Sequence, residues 1–168
     1  EQTGKKKKAK RAVSTQDPRS VKRLLRTLKP TGNNREKVVT LCIEAVNLDI
    51  AKTPLAFCFV LRSLFEISAK AYCEDHKDKG GPSYKKPSGQ DKTLEALLSE
   101  IVNHLTDGGK DKAMVRVLHG TITELGKAEG VLSVTSMNQL VHNPTFLVTA
   151  GDISVMFGNI FPLLEAMN

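Results

Sequence analysis

The sequence predicts an all-α fold, and three observations carry that prediction. Apolar residues recur at helical spacing in nearly every segment between breakers, no stretch alternates strictly between apolar and polar residues with turns at its ends, and no two-residue hairpin signature occurs. The 168 residues are 40% hydrophobic, which suits one helical bundle of ordinary size together with a tail. The division falls near residue 30. Residues 1–30 read as a flexible basic tail or linker holding a short amphipathic helix, and residues 31–168 as the bundle.

Residues 1–18 are polar and lysine-rich and end in Asp17-Pro18, a composition too poor in apolar groups to fold by itself. From Arg19 to Leu28, Val21, Leu24, Leu25 and Leu28 share one helical face while Lys22, Arg23 and Arg26 face away. Lys29-Pro30-Thr31-Gly32-Asn33-Asn34 breaks the pattern, and Asn33 or Asn34 is positioned to cap a helix over 35–48. Its apolar arc is Val38, Val39, Leu41, Cys42, Ala45, Val46 and Leu48. Thr53 precedes Pro54 as N-cap and first helical residue of the next helix, which should run to about residue 75 and form the centre of the fold.

Residues 77–91 hold Gly80-Gly81-Pro82, Pro87 and Gly89 among lysines and read as an exposed loop long enough to be mobile. Leu94, Leu97, Leu98, Ile101, Val102 and Leu105 predict a helix from Thr93 that stops at Asp107-Gly108-Gly109. A single helix follows over 111–127 with Met114, Val115, Val117, Leu118, Ile122 and Leu125 inward, then helices over 133–142 and 150–166. The last carries Ile153, Met156, Phe157, Ile160, Phe161, Leu163 and Leu164, more apolar surface than one side of a small bundle usually buries. A homodimer using this helix or the central one is therefore expected.

The net charge of +7 is unevenly placed. Residues 1–29 hold eleven Lys or Arg against Glu1 and Asp17, a net +9, and the remainder holds fourteen basic and sixteen acidic residues, a net −2. Any grip on the phosphates of RNA or DNA thus belongs to Lys5, Lys6, Lys7, Lys8, Lys10, Arg11, Lys22, Arg23 and Arg26. No apolar run approaches the roughly 20 residues that span a bilayer, and no apolar segment follows the first lysines as in a secretory signal. Cys42, Cys58 and Cys73 are odd in number and lie within apolar helical patterns, as expected of buried thiols in a reducing cytoplasm. Cys73 and His76 are spaced as one half of a metal site but no second half occurs, so neither a metal nor another cofactor is expected. His104 and His119 sit singly on their helices with no evident partners. A first residue of Glu rather than Met reads as a piece of a larger protein with domains upstream.

Polar residues interrupt apolar helix faces in two stretches, 59–72 and 137–144. Leu61-Arg62-Ser63-Leu64-Phe65-Glu66-Ile67-Ser68, then Met137-Asn138-Gln139-Leu140-Val141-His142-Asn143-Pro144 and a closing helix, resemble HEPN-like α-helical domains over about residues 35–168. The nearest likeness is to domains in the C-terminal regions of bacterial ParB-like proteins. The resemblance implies a helical bundle that dimerises and serves as an interaction module of a larger bacterial protein. It also implies an alternative, since many such domains are metal-independent ribonucleases of toxin–antitoxin or phage-defence systems. Their motif is an Arg, a polar residue and then a His; Asn138 and His142 match the last two, and Met137 stands where the Arg is expected.

That departure has chemical weight, because metal-free RNA cleavage needs proton transfer and a cation or donors for the charge developing on phosphate. His142 can transfer protons; Met137 supplies no charge. Arg62 and Glu66, one turn apart on the central helix, are the candidates to complete a site with Asn138 and His142. The competing expectation is that Arg62 and Glu66 form a buried polar network that fixes helix packing.

Overall fold

A computed structural model describes residues 14–127 and 147–168, and within them the chain folds as seven α-helices. These are α1 (Pro18–Thr27), α2 (Glu36–Asn47), α3 (Pro54–His76), α4 (Leu94–Leu105), α5 (Lys112–Val117), α6 (His119–Leu125) and α7 (Ala150–Met167). Among the described residues there is no strand, only one isolated bridge between Lys85 and Asp91. None of the described helices is long and apolar enough to cross a membrane. The expected helix over 133–142 and the tail through Arg11 lie outside the described residues.

Two helices form the inside. In α3, Phe57, Leu61, Leu64, Phe65, Ser68 and Tyr72 repeat at helical spacing and are buried along nearly the whole length. In α7, Ile153, Phe157, Ile160, Leu163 and Leu164 are fully enclosed. The two pack together, with Phe57 and Phe157 meeting edge to face at 6.4 Å between ring centres. α1, α2, α4 and α6 surround them, α1 against α2 and α7, and α4 against α3 and α6. The apolar surplus expected of the closing helix is thus consumed within one chain, and it leaves no reason to place a dimer contact there.

α1 begins as its sequence requires. Asp17 accepts from the Arg19 amide at 2.9 Å, and Pro18 occupies the first turn, where no amide donor is needed. Val21 and Leu25 enter the common core, so this basic helix caps the bundle. α2 starts differently from expectation. Neither asparagine caps it; Arg35 holds the N-cap position without a side-chain cap bond, and Asn34 sits in left-handed backbone at φ 54°. Val39 lies outside the buried arc, 42% exposed. Thr53 does precede α3, but its hydroxyl donates to the Asp49 carbonyl at 2.9 Å instead of capping.

The loop after α3 is exposed, as expected, yet it is tied down. The Lys86 amide donates to the Gln90 carbonyl and the Lys92 amide to the Tyr84 carbonyl, each in ordinary geometry, and Asp91 binds both Lys70 of α3 and Lys85. The expected single helix over 111–127 is two. The chain breaks at Leu118, which is fully buried, while Val117 and Ile122 turn outward at 57% and 42% exposure. Gly120 explains the position: a Cβ there would stand 3.2 Å from the Asn159 carbonyl oxygen, and the Thr121 hydroxyl donates to the same oxygen at 2.9 Å. Close approach of α6 to α7 thus overrides a continuous helix.

Arg35 joins three helix ends. Its side chain is 6% exposed; Nη2 donates to Asp75 at 2.8 Å and to the Met167 carbonyl at 3.0 Å, and Nη1 donates to the Asn33 carbonyl. Beside it, the Thr31 amide and hydroxyl donate to the Asn168 carbonyl at 2.8 and 2.9 Å. Gly32 makes room, since a Cβ there would lie 2.4 Å from Asp75 Oδ2. Replacing Arg35→Ala strands the Asp75 carboxylate and the Met167 carbonyl. Urea unfolding is expected to show a loss of about 3 kcal/mol, with a milder loss for Gly32→Ala.

Candidate functional site

The central helix sets the residues singled out by the sequence on its surface. Arg62 and Glu66 are both half-buried on α3. Glu66 accepts from Lys70 at 2.9 Å, and Lys70 reaches on to Asp91 at 3.0 Å. The Glu66 bond, with the Asp91 contacts, holds the Lys70 ammonium above its usual range, and hydrogen bonds from Lys85 and Lys70 hold the Asp91 carboxyl below its own. The Glu66 side chain is 43% exposed, so it belongs to a half-exposed ion network and not to the expected buried one. Asn138, His142 and Met137 lie outside the described residues. The structure therefore places Arg62 and Glu66 on one helix without describing what the 137–144 stretch brings to them.

Of the expected phosphate-binding cations, Lys22 is half-buried while Arg23 and Arg26 are exposed on α1. Lys5, Lys6, Lys7, Lys8, Lys10 and Arg11 lie outside the described residues. Cys42, Cys58 and Cys73 are buried and free. Desolvation pushes each thiol up to about 11, and Cys73 belongs to the buried core.

A second polar cluster was not legible in the sequence. At the end of α3, the His76 ring stacks on Tyr72, 4.1 Å between ring centres, and its Nδ1 lies 2.9 Å from the Tyr72 carbonyl oxygen. That oxygen can only accept, so Nδ1 carries a hydrogen. His104, in the last turn of α4, lies 2.7 Å by Nδ1 from the Tyr72 hydroxyl, and its ring centre is 5.4 Å from that of His76. His104 thus has two aromatic partners, contrary to its expected isolation; His119 is exposed. Burial pushes the Tyr72 phenol up to about 12, so it keeps its proton.

The cluster borders a cavity of about 250 Å³ lined by Arg35, Tyr72, Asp75, His76, Leu105 and Met167, among others. Tyr72 and His76 are one turn apart on α3, which the sequence shows; that α4 ends beside them is a matter of tertiary packing, which it does not. Among the described residues, no three His, Cys, Asp or Glu side chains converge as a metal site.

The raised thiols give stability a sign with pH. A group whose folded pKa is raised contributes stability that is complete below its ordinary value, here 9.0, and is lost as pH climbs through about 11. Each thiol accounts for on the order of 2–3 kcal/mol of that loss. The urea midpoint is expected to fall between about pH 8 and pH 10.5, with a shallower fall in Cys58→Ala. No family model matches the chain, and no curated protein or solved structure is significantly similar to it.

Proposed function

We propose that this chain is a HEPN-like helical module of a larger bacterial cytoplasmic protein, pairing with a second copy through α2 and the start of α3 and holding nucleic acid by its basic N-terminal segment. One observation carries the pairing. Val39 and Ile43 on α2 and Leu55 and Phe59 on α3 are 42–58% exposed on two helices packed against each other. Val39 and Ile43 also wall a groove of about 260 Å³ with Leu25, Leu28, Cys42 and Val46. A stable interface covers about 800 Å² per partner, so the groove walls belong to the same contact as the four exposed side chains. An α-helical composition with a long enclosed central helix supports the HEPN-like reading.

The nucleic-acid part rests on the concentration of charge before residue 30 and on the exposure of Arg23 and Arg26, the latter at the edge of that groove. Such contacts neutralise phosphates without reading bases, so they give affinity and little sequence preference.

Sedimentation at tens of micromolar is expected to show a dimer, which Ile43→Lys together with Phe59→Glu converts to a monomer of unchanged helicity. A wild-type monomer removes the pairing. Affinity for RNA or DNA is expected to fall steeply with salt. It should weaken more than tenfold when Lys5, Lys6, Lys7, Lys8, Lys10 and Arg11 are replaced by Gln, a gentler test than deleting α1, whose Val21 and Leu25 are core residues. Metal-free cleavage of RNA by the wild type, lost in folded His142→Ala and Arg62→Ala, would replace this reading with the ribonuclease.

A further inference from the structure

We infer that the loop over residues 77–92 is a binding site for single-stranded nucleic acid, with one base in the cleft beside Tyr84 and the flanking phosphates on Lys77, Lys79 and Lys86. This site rests on the nucleic-acid part of the proposed function and adds a second contact to it. Charge is the first of its supports. Lys77, Lys79, Lys85, Lys86 and Lys92 stand against Asp78 and Asp91, a net +3 in a body, residues 30–168, whose total is −2. That total conceals the loop, which is why the sequence assigns phosphate contact to the tail alone. Lys85 pairs with Asp91 and Lys92 with Glu100. Lys77, Lys79 and Lys86 are exposed, and among the described residues none of them meets a carboxylate in an ion pair.

The cleft is the second support. It encloses about 260 Å³ and is lined by Glu74 of α3, by Lys77 just after it, and by Pro82, Ser83 and Tyr84 of the loop, among others. Sites for drug-sized ligands run to about 300–1,000 Å³, so this one suits a single heteroaromatic ring. Its walls are held in place. The Gly81 amide donates to the His76 carbonyl at 2.9 Å, so close to α3 that a Cβ at Gly81 would stand 2.4 Å from that of His76. The Lys92 amide donates to the Tyr84 carbonyl at 2.9 Å, and the Tyr84 ring packs on the core with the Lys70 and Lys85 ammoniums 5.9 and 5.5 Å from its centre. A ring so held loses little freedom when a base packs against the side that lines the cleft.

Together the two features name the ligand. Aromatic rings beside unpaired cations are how proteins hold single strands, because every base has a π-face and every phosphate a charge. Glu74, whose carboxylate borders the cleft, disfavours a phosphate inside it and can accept from the N–H groups of a base edge. The base therefore enters and the phosphates stay outside. Lys79 and Lys86 do not line the cleft, so they reach phosphates beyond the bound nucleotide, which a strand has and a free nucleotide lacks. A duplex keeps its bases stacked and offers none.

Fluorescence anisotropy of the full chain with a fluorescein-labelled RNA octamer of cytidines is expected to show binding that Tyr84→Ala weakens about tenfold and Tyr84→Phe leaves within twofold. Binding of an RNA duplex of equal length should be the same in Tyr84→Ala as in the wild type, and cytidine monophosphate should compete more than a hundredfold less well than the octamer. Replacing Lys77, Lys79 and Lys86 together by Gln should reduce the slope of log affinity against log salt by about 2. Should Tyr84→Ala fail to fold, the lysine variant decides, since all three of its side chains are exposed. With wild-type binding intact, full affinity in folded Tyr84→Ala, an unchanged slope in the lysine variant, an equal loss on the duplex, or competition by the mononucleotide at the octamer's own concentration removes the loop site and leaves the tail. A wild type that binds no RNA removes both.

Discussion

Three helix ends meet at one buried guanidinium, and the arrangement of α2, α3 and α7 depends on it. α2 starts at Arg35, α3 ends beside Asp75, and α7 ends at the Met167 carbonyl that Arg35 caps. Two of those ends are C-terminal and carry partial negative charge, so a cation among them is stabilised by dipoles as well as by its carboxylate. The same charge, left without its partners, would be costly in the interior. The chain meets this with Gly32, the one residue type that fits against both Asp75 and the guanidinium. Arg35 therefore works less as added stability than as a registration point for helices that apolar packing alone would allow to slide.

Apolar periodicity made most of the fold readable. α3 and α4 were visible from their spacing because a helix that buries one face must repeat its apolar groups with the turn. α5 and α6 were not separable, because Val117, Leu118 and Ile122 keep helical spacing and nothing local marks Leu118 as the one turned inward. The break there follows from Gly120 meeting the backbone of Asn159, thirty-nine residues away in sequence. The start of α2 was misplaced for a related reason. Asn33 and Asn34 are good cap residues by local chemistry, and the long-range demand of Arg35 for Asp75 and Met167 overrode it.

The candidate site was legible only where one helix holds its members. Arg62 with Glu66 and Tyr72 with His76 are pairs one turn apart, and a reader of the sequence can place each pair on a face. Partners from elsewhere are another matter: Asp91, in a loop that looked unconstrained, binds the Lys70 that holds Glu66, and His104 reaches Tyr72 from α4. Cys73, adjacent to Tyr72, illustrates the converse. Its spacing to His76 suggested a metal pair, but Cys73 lies at about 100° from Tyr72 around the helix, and that rotation turns its thiol into the core.

These placements divide the polar groups by role. Charge that is enclosed, as in Arg35 and Glu124, is spent on its neighbours: Glu124 receives Lys127 and the Asn159 amide at 2.8 Å each and so fastens α6 to α7. Groups that hold helices together in this way are not available to a partner, because breaking their bonds would loosen the bundle. What the packing does not use is the apolar face of α2 and α3 and the exposed cations of α1. The first is the surface we propose for assembly, and the second the one we propose for phosphate contact. The side chains of both surfaces lie outside the Arg35 junction, so each can be changed by substitution without removing a bond that keeps the helices in register.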